Sequence, residues 1–292
     1  MRCNQHTSLV ILFFVYTLIN SFDLLAQNYY INPVMGNDNF DGKTAKTAFK
    51  TLKKASNINL EPGDSLLLAA GVVHWGELKL HNIKGTESVP VIVTSYPVKT
   101  DDVAKESTHA IINARGFYQG IDISNSQYLH VSKLHITAPD GVIYKFVRKK
   151  AQLKASPMRI GVRIEANKKG VFSGITLDDL IVNNVYFNKP SVTRSFKETH
   201  SANGTESYGW GIRAFAKNGG RLDNLIIKNS SISNVSHTGI KLNGRKGSLK
   251  NVSLANNHVF DVGGPGMQMS GGEHVHVYGN IVKGSGSTKD TR

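Results

Sequence analysis

Hydrophobic and polar positions recur along this chain in a two-part rung. Five short segments open alike: GIDI (120–123), GVRI (161–164), GIRA (211–214), GIKL (239–242) and GMQM (266–269). Each is followed by a block of eight: LHVSKLHI (129–136), ITLDDLIV (175–182), LIIKNSSI (225–232), VSLANNHV (252–259) and VHVYGNIV (275–282). In every block the first, third and eighth residues are Leu, Ile or Val. Side chains alternate faces along a strand, so the first and third share a face, and a bend after the third turns the eighth inward as well. Gly239 to Gly266 is 27 residues, the length of one coil of a β-solenoid with three strands per turn. Asn229 and Asn256 share the fifth position of their blocks, and Asn257 and Asn280 the sixth. Asparagines stacked at a corner bond from coil to coil and tolerate a tight turn. The pattern predicts an all-β parallel β-helix. The strands opening at Gly120, Gly161, Gly211, Gly239 and Gly266 should stack in register, with Asn257 beside Asn280.

Before the regular coils, residues 27–70 read as an N-terminal cap. Tyr29 to Ile31 is a short strand, and 36–42 is a turn cluster. From Thr47 to Ala55 the apolar residues Phe49, Leu52 and Ala55 stand three apart, which predicts an amphipathic helix laid across the open end of the core. Asn37, Asn39, Asp41 and Gly42 resemble the first half of an EF-hand loop. The twelfth position, however, is Ala48, where a bidentate Glu belongs. Coils then fill 71–292, and two insertions leave from one corner, at 137–160 and 183–210. The first carries Lys145, Arg148, Lys149, Lys150, Lys154 and Arg159 against Asp140. The second mixes Lys189, Arg194, Lys197 and His200 with Tyr186, Phe187, Phe196, Tyr208 and Trp210. Long loops on a rigid scaffold are where function concentrates. The sequence finishes GSGSTKDTR with no closing helix, so an uncapped, truncated solenoid is expected.

Arg2, the eleven-residue apolar run Leu9 to Ile19 and a small-residue cleavage point after Ala26 have the layout of a secretory signal, residues 1–26. The run is too short to span a bilayer. The expected product is secreted or periplasmic, with cell-surface association left open, without a membrane span, and monomeric. Cys3 lies inside this signal, so the mature chain has no thiol and no disulfide. A formal charge of +14 suits an anionic partner. For an exported chain that partner is expected to be an acidic polysaccharide, not nucleic acid. The chain has no Walker-type loop, dinucleotide fingerprint or nucleophile elbow.

YYINPVMGNDNFDG, EPGDSLLLAAGVV and KGTESVPVIVTSYP resemble the N-terminus of right-handed parallel β-helix carbohydrate-active proteins of the pectate lyase-like superfamily. The last two look like the opening of family-6-type polysaccharide lyases, and the end of the chain looks like a segment inside longer exported proteins of Bacteroidetes type. The resemblance implies a right-handed helix and a polysaccharide-cleaving activity. It also leaves calcium open, since such lyases often use it; the residues themselves call firmly for no cofactor and assign no metal ligands.

The third residue of each opening strand forms a column: Asp122, Arg163, Arg213, Lys241 and Gln268. Its apolar neighbours point inward, so the column points out. Adjacent strands lie about 4.8 Å apart, which stacks three cations within roughly 10 Å. An acidic glycan lying there would set an anion near each cation. The competing reading is a solvated basic face. For β-elimination, Arg213 and Lys241 resemble the Arg/Lys pair of β-helix lyases. His237 and Tyr208 are further acid–base candidates, and Arg163, Tyr208, Trp210 and Gln268 are candidate substrate contacts. Hydrolysis would need two carboxylates, and Asp122, Glu165, Asp178, Asp179, Glu206 and Asp261 show no convergent pair in the sequence. His274 and His276 form an H-x-H pair and His258 lies nearby, without a third zinc ligand. Lyase is thus favoured over hydrolase. A non-catalytic carbohydrate-binding or adhesin β-helix and a truncated inactive product are the alternatives.

Overall fold

A computed structural model describes residues 26–98, 108–139, 159–185 and 209–286. The signal segment, except Ala26, and most of both insertions lie outside the described residues. Three parallel sheets make the walls of a β-helix, and from Ser65 onward the chain visits them in the order 1, 2, 3. Sheet 1 stacks Asn28–Ile31, Ser65–Ala69, Val91–Tyr96, Leu129–Ser132, Gly170–Asp178, Gly220–Lys228, Leu249–Ala255 and Gly272–Tyr278. Sheet 2 stacks Val73–Trp75, Ala110–Asn113, Leu134–Ala138, Ile181–Val185, Ser231–Val235, His258–Val262 and Ile281–Ser285. Sheet 3 stacks Leu78–His81, Gln119–Ser124, Arg159–Ala166, Gly209–Ala216, Ile240–Asn243 and Met267–Ser270. This is the parallel β-helix that the rung pattern and the resemblance led us to expect.

The eight-residue blocks turn from sheet 1 to sheet 2. Their first, third and eighth residues point into the core: Leu225, Ile227 and Ile232, for example, are buried. The bend that allows this falls at the fifth position, where Lys133, Asp179, Asn229, Asn256 and Gly279 all take positive φ, between 51° and 64°. Left-handed backbone is least costly for Gly and Asn, which is why those residues gather there. At the sixth position Asn257 is fully buried, and its amide is held on both sides. Its Nδ2 donates to the Ile227 carbonyl and to Asn280 Oδ1, each at 2.9 Å, and its Oδ1 accepts from the Ser230 amide at 3.1 Å.

The opening glycines have a different task. Gly161 and Gly211 sit where sheet 2 passes into sheet 3, and a Cβ on Gly211 would lie 2.5 Å from both the Gly239 carbonyl oxygen and Ile232 Cγ2. On Gly161 it would meet Val182 Cγ1 at 2.5 Å and the Gly211 carbonyl at 2.7 Å. Each coil thus packs its corner backbone into space that only glycine leaves empty. Close approach, not left-handed φ, requires the residue.

The cap departs from expectation. A 3-10 turn at Ala45–Thr47 and a helix of only four residues, Leu52–Ala55, replace one continuous helix. Phe49 lies between them in a parallel bridge to Ile31. The break has a cause in Asp38: its Oδ1 accepts from the Lys50 and Thr51 amides and its Oδ2 from the Thr51 hydroxyl. Thr51 then caps the short helix by accepting from the Lys54 amide at 3.1 Å. Phe49, Leu52 and Ala55 still bury themselves on the end of the core. Asp41 likewise accepts from the Lys43 amide and the Thr47 hydroxyl. The acidic oxygens of the EF-hand-like turn therefore face the chain's own donors. They hold these segments in place.

Candidate functional site on sheet 3

On sheet 3 the strands alternate cleanly, and register places two outward rows side by side. The first runs Lys79, Asp122, Arg163, Arg213, Lys241, Gln268. The second runs His81, Ser124, Glu165, Phe215, Asn243, Ser270. The predicted column is thus present in the predicted order.

Its charges are not left uncompensated, however. Arg163 Nη1 lies 3.2 Å from Asp122 Oδ1, and Arg163 Nη2 is in ion-pair contact with Glu165. Lys217 Nζ reaches the same Glu165 at 2.5 Å. His81 Nε2 bonds Asp122 Oδ2 at 2.9 Å. Two cations face two buried carboxylates, so this half of the row is a closed ionic network and Arg163 is committed to it. Alternation along the strand places Glu165, two positions beyond Arg163, on the same outward face in the sequence already. The ion pairs themselves depend on side-chain reach and on Asp122 of the adjacent coil, which strand parity does not specify.

The other half is built around Trp210. Its indole is 2% exposed. The Arg213 guanidinium stacks on it at 3.7 Å from the ring centroid, and Lys241 Nζ lies 5.3 Å from the same centroid. His237 meets the indole edge-on at 5.8 Å, and its Nδ1 is 2.7 Å from the Thr238 hydroxyl. Four residues singled out in the sequence are therefore drawn together by one ring. Trp210 serves as the floor on which the cations rest. Lys241 is 4% exposed. Burial, reinforced by the Arg213 charge, pushes its ammonium pKa below the ordinary lysine range. Phe215, which sequence reading passed over, carries Arg163, Arg213 and Lys217 within 5.1–5.6 Å of its ring and joins the two halves.

The remaining candidates fall elsewhere. Tyr208 and Glu206 lie outside the described residues. Arg159, counted in the first basic loop, is buried and donates to the Phe117 and Ala138 carbonyls at 3.4 Å each. Asp178 pairs with Lys228 at 3.2 Å and accepts from Asn229, while Asp179 takes a corner conformation and contacts His109. Both acids brace the turn between sheets 1 and 2. His274 Nδ1 contacts Asn251 Oδ1 at 3.3 Å. Among the described residues, no three His, Cys, Asp or Glu side chains converge as metal ligands.

No protein-family model matches the chain, and no curated protein matches it by sequence. Solved structures do. The native GH136 lacto-N-biosidase of Eubacterium ramulus aligns over 82% of this chain and 42% of its own, at 21% identity and a TM-score of 0.61. The selenomethionine derivative of that enzyme aligns over 88% of this chain and 56% of its own, at 15% identity and a TM-score of 0.52. A rhamnogalacturonan lyase aligns over 88% of this chain and 62% of its own, with 14% identity and a TM-score of 0.42. The chain spans about half the length of the lacto-N-biosidase structures it matches. At these identities the likeness to the lacto-N-biosidase establishes a shared fold.

Proposed function

We propose that this chain is an exported β-helix protein that binds an acidic polysaccharide on the outer face of sheet 3 and cleaves it by β-elimination. The observation that carries this reading is the Arg213–Lys241 pair, stacked on one buried indole with the lysine desolvated. In the proposed reaction the Arg213 guanidinium pairs with a uronate carboxylate, which acidifies the proton on C5. The neutral Lys241 amine takes that proton. The electron pair forms the C4–C5 double bond, and the C4–O bond breaks. His237, on the same indole, supplies the proton for the departing oxygen. The fold shared with a carbohydrate-active enzyme supports the general assignment. Export rests on the apolar run Leu9 to Ile19. Among the described residues no helix is long and apolar enough to cross a membrane.

Hydrolysis is the second reading, favoured by Asp122 and Glu165 on adjacent strands beside Arg163. Both carboxylates are already engaged by Arg163, and Glu165 by Lys217 as well, so elimination is preferred. One assay separates the two. The protein is incubated with alginate, pectate, chondroitin and sulfated galactans. Absorbance in the unsaturated-uronate band reports elimination, and new reducing ends without it report hydrolysis. Lys241→Ala is expected to lower turnover by about 10²–10⁴-fold. The rate should rise with pH through a limb lying below the ordinary lysine pKa, because only the neutral amine accepts a proton. Arg213→Ala should weaken binding and flatten its salt dependence, whereas Arg221→Ala, on sheet 1, should do neither. Binding without any product would leave the chain a carbohydrate-binding β-helix. Equal behaviour of the two arginine variants would reduce the row to a solvated face.

A further inference from the structure

Every strand of sheet 3 ends at the corner where the chain turns into sheet 1, whereas the insertions leave from the corner before it. Three consecutive turns at that far corner, 167–169, 217–219 and 244–248, carry Lys168, Lys169, Lys217, Arg245 and Lys246, all exposed. Lys217 folds back past the Phe215 ring to Glu165 at 2.5 Å, so a side chain rooted at this corner reaches the outer face of sheet 3. Among the described residues the other four have no carboxylate within ion-pair distance. Lys168 Nζ donates to the Asn82 amide oxygen at 3.1 Å, a neutral partner that leaves its charge uncompensated. The middle turn sets Asn218 and Gly219 between the two cationic ones, with Gly219 lying against Lys169. Lys168 and Lys169 are thus two coils, about 10 Å, from Arg245 and Lys246. One acid approaches: the Glu273 carboxylate lies over Gly247, next to Lys246 in the chain. Arg221 and Lys250 fall past the corner on sheet 1, where Lys250 is aligned between Asp223 and Glu273. Cations held this close repel one another, and an anionic ligand relieves that repulsion.

The way from the candidate site to this corner carries no acid. Lys241 is followed at outward positions by Asn243 and then by Arg245, four residues or about 13 Å along the chain. Arg213 is followed in the same way by Phe215 and Lys217. Along the helix axis a polymer would instead run onto the Asp122–Arg163–Glu165 network, whose cation is already engaged. Resting on the acidic-glycan reading above, we infer that the binding site extends past the sheet: the polymer crosses sheet 3 along its strands, and Lys168, Lys169, Arg245 and Lys246 hold its acidic groups at the far corner. A ligand too short to span about 13 Å from Lys241 cannot use them. The corner therefore makes binding depend on chain length.

The test is calorimetric titration of the full chain at low salt with a disaccharide and a decasaccharide, prepared both from pectate and from alginate. Replacing Lys168, Lys169, Arg245 and Lys246 together by Gln is expected to weaken decasaccharide binding by about tenfold, the combined weight of several exposed charge contacts. It should also flatten the salt dependence and leave the disaccharide unchanged. Glu273→Gln removes the one acid at the corner and should act in the opposite sense, tightening the decasaccharide by up to about fivefold and the disaccharide not at all. All five side chains lie on the surface or near it, and an unchanged thermal midpoint checks that each variant folds. A loss of equal size for both lengths, which general attraction to a basic protein would give, overturns the inference. So does a decasaccharide affinity that neither variant moves. In both cases weaker disaccharide binding by Arg213→Ala keeps the acidic-glycan reading intact. Should the unmodified protein bind neither length of either polymer, that reading falls and this one with it.

Discussion

His74 turns its ring into the solenoid from the short strand Val73–Trp75. One nitrogen, Nε2, bonds the Ala69 carbonyl at 3.0 Å, and Nδ1 is buried without a partner. Burial, only partly offset by that carbonyl, lowers its pKa from 6.5 to about 4. The sign follows from linkage. Between these values the unfolded chain binds a proton that the folded chain refuses, so stability falls as pH drops from about 6.5 to about 4 and then levels off. The shift corresponds to about 3 kcal/mol. Denaturant midpoints at pH 7 and pH 4.5 should therefore converge in His74→Gln relative to the unmodified protein. The same pH dependence in both would place the titrating group elsewhere. A buried neutral histidine and a desolvated lysine have opposite uses. His74 packs into a wall on sheet 2, while on sheet 3 the same physical effect would suit Lys241 to the proposed role of base.

At the level of strands and turns, the corner glycines make the sharpest claim. Gly211 lies near the start of the strand that carries Arg213, and its missing Cβ is the space taken by the Gly239 carbonyl and Ile232. Gly211→Ala is expected to destabilise by about 1–3 kcal/mol through overpacking. It should also disturb the stacking of Arg213 on Trp210, two elements of the same strand. A drop in thermal midpoint accompanied by a change in near-ultraviolet circular dichroism from Trp210 is the expected result; an unchanged midpoint would show that the corner can relax. This geometry explains why the fold was legible before the structure was known. Glycine, alternation and the fifth-position turn residues are each dictated by local sterics, and all three recur every coil. The helix over 47–55 was less legible, because its break depends on Asp38, a hydrogen-bonding partner twelve and thirteen residues away. The candidate site was read in part. Outward parity found Arg213 and Lys241, but whether a cation is neutralised depends on side chains from neighbouring coils, and that left the Asp122–Arg163 pairing unseen. The role of Trp210 likewise depends on how deeply it is covered.

As a whole molecule, the chain is a stack in which each coil touches chiefly its neighbours, so stability is close to a sum of coil and interface contributions. Coils in the middle have two neighbours, whereas Met267–Ser270, Gly272–Tyr278 and Ile281–Ser285 each pair on one side only among the described residues. There Val277 is 55% and Val282 is 44% exposed, against full burial of the equivalent Ile227 and near-complete burial of Val259. Amide exchange in the 292-residue chain should therefore be slowest across the strands holding Ile212, Ile227 and Ile232. It should quicken by orders of magnitude toward Val277 and Val282. Uniform protection from end to end would mean that the last coil is held by contacts other than its strands.

The corner from sheet 2 to sheet 3 has a consequence for how such a protein changes over time. Val185 pairs with Val235 before it, and Ile212 with Ile240 after it. Between those two matched pairs, one coil spends 26 residues and the next spends four. Closing a longer loop costs little extra entropy, so sequence can be gained or lost here while both walls keep their alignment. A single substitution in the sheet-3 row resets its charge, while this corner accommodates whole segments. The chain can thus be rewritten in two alphabets, one of residues and one of insertions, without the core having to be read again.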